Sequence, residues 1–84
     1  MSDKTLLRVL KLAAEQAGMS DLAVKPEDSL VADLRLDSLD CIELTMACED
    51  VFDLSIPEGD AEKCVTVADC ASLVDRFLAG VRAA

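Results

Sequence analysis

From Lys4 to Ala17, apolar side chains return at helical intervals. Leu6, Val9, Leu10, Ala13 and Ala17 share one side, with Arg8, Lys11 and Glu15 on the others. Gly18 is a natural stop, so the pattern predicts a first helix over 4–17. The stretch 19–36 keeps no period, and Pro26 breaks any helix there. Leu22, Val24, Leu30, Leu34 and Leu36 are nonetheless apolar enough to pin this long loop onto a core. A second helix is predicted over 38–52, with Asp37 as its N-cap and Asp40 in the first turn, where the helix dipole favours an acid. Leu54, Ile56 and Pro57 then turn the chain. A short third helix is expected over 60–64, and Thr66 caps a fourth over 67–78. The pattern describes an all-α fold: a four-helix bundle with a long first loop and a short third helix, one domain over residues 1–84.

The second helix separates into two faces. Ile42, Thr45, Cys48, Val51 and Phe52 fall on one side; Leu39, Asp40, Glu43, Met46 and Asp50 form a stripe on another. That stripe mixes acids with two large apolar side chains, Leu39 and Met46, which a face meant only for water does not need.

Charge sharpens this picture. Of 17 acids and 8 bases, ten acids and Arg35 alone lie between Asp33 and Glu62, so that segment carries the whole net charge of −9. Nucleic acid and anionic lipid are repelled by such a surface, whereas a basic protein patch is attracted. No apolar run approaches the roughly 20 residues a membrane span requires. Met1–Lys4 leads straight into a charged amphipathic stretch, not a signal peptide, so a cytoplasmic protein is expected. Phe52 and Phe77 are the only aromatics, leaving a core of aliphatic side chains, Met and Cys. Cys41, Cys48, Cys64 and Cys70 lack the gaps of about two to four residues typical of metal sites, and no histidine can complete one. They read as reduced, mostly buried small hydrophobes, with Cys48 and Cys64 in the core.

The same inventory argues against catalysis by the chain itself. Without histidine there is no Ser–His or Cys–His nucleophile. Asp37 and Asp40 would sit at an exposed helix end, with nothing to desolvate them into an acid–base pair. There is no glycine-rich phosphate loop, and Pro57 and Glu58 spoil Asp53–Glu62 as a calcium loop.

What remains is Ser38, just inside a helix N-terminus, in the run Asp37-Ser38-Leu39-Asp40. With Glu43, Leu44, Met46, Glu49, Phe52 and Ile56-Pro57 following at their particular intervals, and then Asp60-Ala61-Glu62-Lys63 and Thr66-Val67-Ala68-Asp69, residues 4–80 resemble an acyl carrier protein. The resemblance implies that a phosphopantetheinyl transferase attaches 4'-phosphopantetheine to Ser38, with Asp37 assisting by helping to hold the transferase's magnesium. It implies a monomeric carrier, not an enzyme, that presents acyl thioesters to synthetases and synthases of fatty-acid or related lipid biosynthesis through their basic docking patches. Acyl chains would be shielded between the helices. The stripe Leu39, Asp40, Glu43, Met46 and Asp50, extended by Ile56 and Glu58, is the expected docking face. A polyketide, aminoacyl or peptidyl carrier would use the same machinery; an unmodified acidic interaction module is the reading from a different class. Arg35 departs from the family pattern, standing where a glycine is common.

Overall fold

The computed structural model describes residues 3–83, with the side chains of residues 3–80. It contains α1 (Asp3–Ala17), a single 3-10 turn (Asp21–Ala23), α2 (Ser38–Phe52), α3 (Glu58–Ala61) and α4 (Val67–Ala83). Helix α1 packs on α2 and α4, and the short α3 closes one side against α4.

Each helix buries what its spacing offers. Val9, Ala13 and Ala14 of α1, Leu44 and Cys48 of α2, and Val67, Cys70, Ala71, Leu73 and Val74 of α4 form one core. Small residues on α1 let the neighbouring helices approach closely. Polar contacts also tie α1 to its neighbours. The buried Thr5 hydroxyl donates to Asp75 Oδ1 of α4 at 3.1 Å, and the Arg8 guanidinium lies 5.3 Å from the centre of the Phe52 ring at the end of α2. Gly18 ends α1 with φ +69°, the left-handed conformation that only glycine adopts freely.

The long first loop is held by its backbone. The Leu30 N–H donates to the Val65 carbonyl at 2.9 Å, Val67 to Asp28 at 3.1 Å, and Ala68 to Pro26 at 2.8 Å. These bonds seat the loop against the start of α4, and an isolated bridge pairs Ser29 with Thr66. Val24, Leu30, Leu34 and Leu36 enter the core as expected. Leu22 does not: it sits in the 3-10 turn, 94% exposed, because the turn aims it away from the bundle.

Two further expectations are corrected. Helix α3 occupies 58–61 and not 60–64, since Pro57 presets the entry and Glu58 and Asp60 supply the acids of a first turn. Helix α4 runs past residue 78 to Ala83; Gly80 costs a helix only about 1 kcal/mol relative to alanine and does not stop it. The α2 face of Ile42, Thr45, Cys48, Val51 and Phe52 is divided: Cys48 is 0% exposed, but Ile42 is 50% and Val51 42%, while Leu44, which belongs to neither face read from the sequence, is 1% exposed. Thr66 does cap α4, its hydroxyl accepting from the Asp69 N–H at 3.1 Å. Asp69 Oδ2 accepts in return from the Val65 and Thr66 N–H groups, each at 3.0 Å.

Candidate functional site

The chain enters α2 through a rigid approach. Leu34 and Leu36 are buried on either side of Arg35, whose side chain is exposed and whose φ of 60° is left-handed. The Leu36 N–H bonds back to the Leu30 carbonyl at 2.9 Å. Asp37 then caps the helix in a reciprocal box. Its Oδ1 accepts from the Asp40 N–H at 2.8 Å, and Asp40 Oδ2 accepts from the Asp37 N–H at 3.3 Å. Ser38 is therefore the first helical residue, with its side chain exposed. The N–H groups of Ser38 and Leu39 lie in the first turn, where the helix itself offers no carbonyl partner and the dipole favours an anion.

A cavity of about 270 Å³ opens beside Ser38. Asp37, Ser38, Glu58 and Glu62, with the apolar Val31 and Ile42, are its exposed lining residues; Leu30, Leu44 and Cys70 are its buried ones. The space thus leads from a mixed rim into the apolar centre, between α2 and the α3–α4 side of the bundle.

The predicted stripe is largely an outer surface. Leu39 is 62% and Met46 57% exposed, and Glu43 and Asp50 are exposed beside them. Asp40 is half-buried and occupied twice: by the cap, and by Gln16 Nε2 of α1, which donates to its Oδ1 at 3.0 Å. The same Nε2 donates to Glu43 Oε2, also at 3.0 Å. Gln16 holds the Asp40 carboxyl below its ordinary value, with the Asp37 backbone N–H adding to the effect. Glu58 is exposed at the head of α3, next to the cavity. Ile56 does not belong to this surface. It is 9% exposed within the core, and its N–H donates to Glu49 Oε2 at 2.8 Å. A large apolar residue before proline finds the core more readily than water, and that overrides its nearness in sequence to Glu58.

Two features of the site escape sequence reasoning. Gln16 meets acids 24 and 27 positions away, and no local pattern announces that. Val31 and Ile42 line the cavity while remaining 66% and 50% exposed, and nothing in their local spacing marks them for it.

Three of the four free cysteines, Cys41, Cys64 and Cys70, also line the cavity. Burial, with the carboxylates of Asp40 and Asp37, raises the Cys41 thiol. Hydrogen bonding with Cys70 raises Cys64 strongly, and hydrogen bonding with Cys48 pushes Cys70 up to about 12, while Cys48, the accepting partner, moves down. Cys64 is only half-buried; Cys70 and Cys48 are the buried pair.

Residues 7–74 match the family described as the phosphopantetheine attachment site. An acyl carrier protein of Bdellovibrio bacteriovorus is 48% identical over 69 residues, covering 82% of this chain and 88% of that protein. The chain belongs to the phosphopantetheine-dependent acyl carrier family. Its all-α fold of four helices is the one expected of such a carrier. An acyl carrier is not an enzyme: it holds its cargo on a phosphopantetheine arm while other proteins act on it. An exposed hydroxyl beside an apolar cavity fits such an arm, because one end needs water and access while an acyl chain needs shelter. No helix among the described residues is long and apolar enough to cross a membrane.

Proposed function

We propose that Ser38 is the attachment residue, that Asp37 assists the attachment by helping to hold the transferase's magnesium, and that the chain serves fatty-acid or related lipid biosynthesis as a cytoplasmic monomer. The observation that carries this reading is the position of Ser38: exposed, first in α2, and on the rim of the apolar cavity. A phosphodiester there meets first-turn N–H groups and the positive end of the α2 dipole. The arm supplies a terminal thiol that bears the acyl group as a thioester. Leu30, Leu44 and Cys70 present an apolar lining suited to an alkyl chain.

The docking face in this reading is Leu39, Asp40, Glu43, Met46 and Asp50, with Glu58 beyond the helix and Ile56 left out because it is buried. The acids steer basic patches of the transferase and of acyl synthetases or synthases toward Ser38, and the two exposed apolar side chains give the contact a dry centre.

The test is an intact mass after incubation with coenzyme A and a broad-specificity phosphopantetheinyl transferase. Wild type gains one phosphopantetheine, and Ser38→Ala gains none while its circular dichroism is unchanged. An adduct on Ser38→Ala, or one mapped to another serine, overturns the assignment.

A further inference from the structure

Gln16 stands in the last turn of α1, half-buried, and spends both hydrogens of its one amide nitrogen on α2. One goes to Asp40 Oδ1 and the other to Glu43 Oε2, each at 3.0 Å. Ionised carboxylates only accept, so the amide has one workable orientation; flipped, its oxygen would face two negative groups. Asp40 and Glu43 are three residues apart on one helix face, where like charges repel. Without Gln16, Asp40 would stay in the cap and Glu43 would swing away from it. A shared donor between them holds the pair together. The chain of bonds then continues, since the other oxygen of Asp40 accepts from the Asp37 N–H at 3.3 Å, directly before Ser38.

We propose that Gln16 is a positioning residue for charging at Ser38, holding Asp40 and Glu43 in one paired arrangement against which the transferase docks. The proposal rests on the reading of Ser38 as attachment site and α2 as docking face. Gln16 carries no charge, so it adds nothing to long-range steering. Its part is to hold Glu43 beside the capped Asp40 before the encounter, so that the transferase does not have to order the pair on binding. Gln16 is also the first of the groups that lower the Asp40 pKa, ahead of the Asp37 N–H.

The experiment compares wild type, Gln16→Ala and Gln16→Met in charging by the transferase with coenzyme A. Both variants keep the net charge of −9, and Gln16→Met also keeps the side-chain length. Each is expected to lose roughly three- to tenfold in kcat/KM, mainly through KM, the scale of ordering one or two long side chains on binding. Two readouts separate positioning from a mere link between helices. Carbon NMR titration should show the Asp40 carboxyl returning toward its ordinary value in both variants. In an Asp40→Ala/Glu43→Ala background, Gln16→Ala should cost nothing further, because the acids it acts through are gone.

Should wild type gain no arm at Ser38, the underlying reading of the site fails. Should wild type charge normally while the Gln16 variants match its rate, the positioning role alone is overturned. An unchanged Asp40 titration, or a Gln16→Ala loss that persists in the Asp40→Ala/Glu43→Ala background, also overturns it.

Discussion

Asp37 and Asp40 cap one another: the side chain of each accepts the backbone N–H of the other, at 2.8 and 3.3 Å, and Ser38 stands between them as the first residue of α2. The attachment residue proposed here is thus enclosed by the motif that starts its helix. Removing the cap with Asp37→Ala should cost about 1 kcal/mol of stability and also slow charging. A urea melt alongside a charging assay measures both; a change in neither means the cap is dispensable.

The caps also set an acid dependence. Asp40 is held below its ordinary value of 3.8 by Gln16 and then the Asp37 N–H, and Asp69 likewise by the Thr66 and Val65 N–H groups. A carboxyl lowered in the folded state stabilises it above the unfolded value and loses that contribution as pH falls through the folded one. Protonation also relieves repulsion within a chain of net charge −9, which works the other way. The comparison that isolates the caps is wild type against Asp40→Asn/Asp69→Asn. From neutral pH down through 3.8, wild type should lose stability more steeply. Parallel curves would show that the caps contribute nothing pH-dependent.

Leu39 and Leu44 lie on one helix yet should answer differently to the same change. Leu44 is 1% exposed, and Leu44→Ala should cost about 2–5 kcal/mol through lost contacts and a cavity. Leu39 is 62% exposed, so Leu39→Ala should stay within about 0.5 kcal/mol of wild type while slowing charging. Equal charging by folded Leu39→Ala and wild type would remove Leu39 from the docking face.

A thiol reagent at neutral pH should modify Cys41 first in the native protein. Cys48 and Cys70, 0% and 7% exposed, should wait for unfolding. Cys64 is half-buried and still slow, since Cys70 and burial raise its pKa and its thiol donates to the Asp60 carbonyl at 3.9 Å. Mass spectrometry of timed digests gives the order. Early labelling of Cys64 would show that this bond does not persist.

Arg35 carries backbone strain that glycine would not. At φ 60° a side-chain-bearing residue pays roughly 1–2 kcal/mol, offset in part by the larger unfolded-state entropy of glycine, about 0.4–1 kcal/mol. Arg35→Gly should therefore raise Tm by several degrees in a thermal melt. Asp53, left-handed at φ 53° where it ends α2, should gain less from Asp53→Gly, because aspartate tolerates that conformation better. The reverse order would refute the strain argument.

Local signals carry far along this chain. The period of α1, the Asp37 and Thr66 caps, the stop at Gly18 and the bounds of α2 all depend on residues within one or two turns, and those interactions are readable in order. The Asp-Ser-Leu run and its following intervals were likewise enough to indicate an acyl carrier.

Only the tertiary structure decided which apolar residues go inside. Leu22 and Leu36 have the same side chain, but one is 94% and the other 2% exposed, because the 3-10 turn aims Leu22 outward while Leu36 is tied by its N–H to Leu30, itself bonded to Val65. Ile56, expected on the docking patch, lies in the core, and Ile42 lies on the cavity rim. Gln16 looked like an ordinary polar helix residue until α1 and α2 were packed together and its amide met two acids far along the chain. Burial and shared hydrogen bonds are properties of a relative position in space, and spacing along one element contains no information about its neighbour.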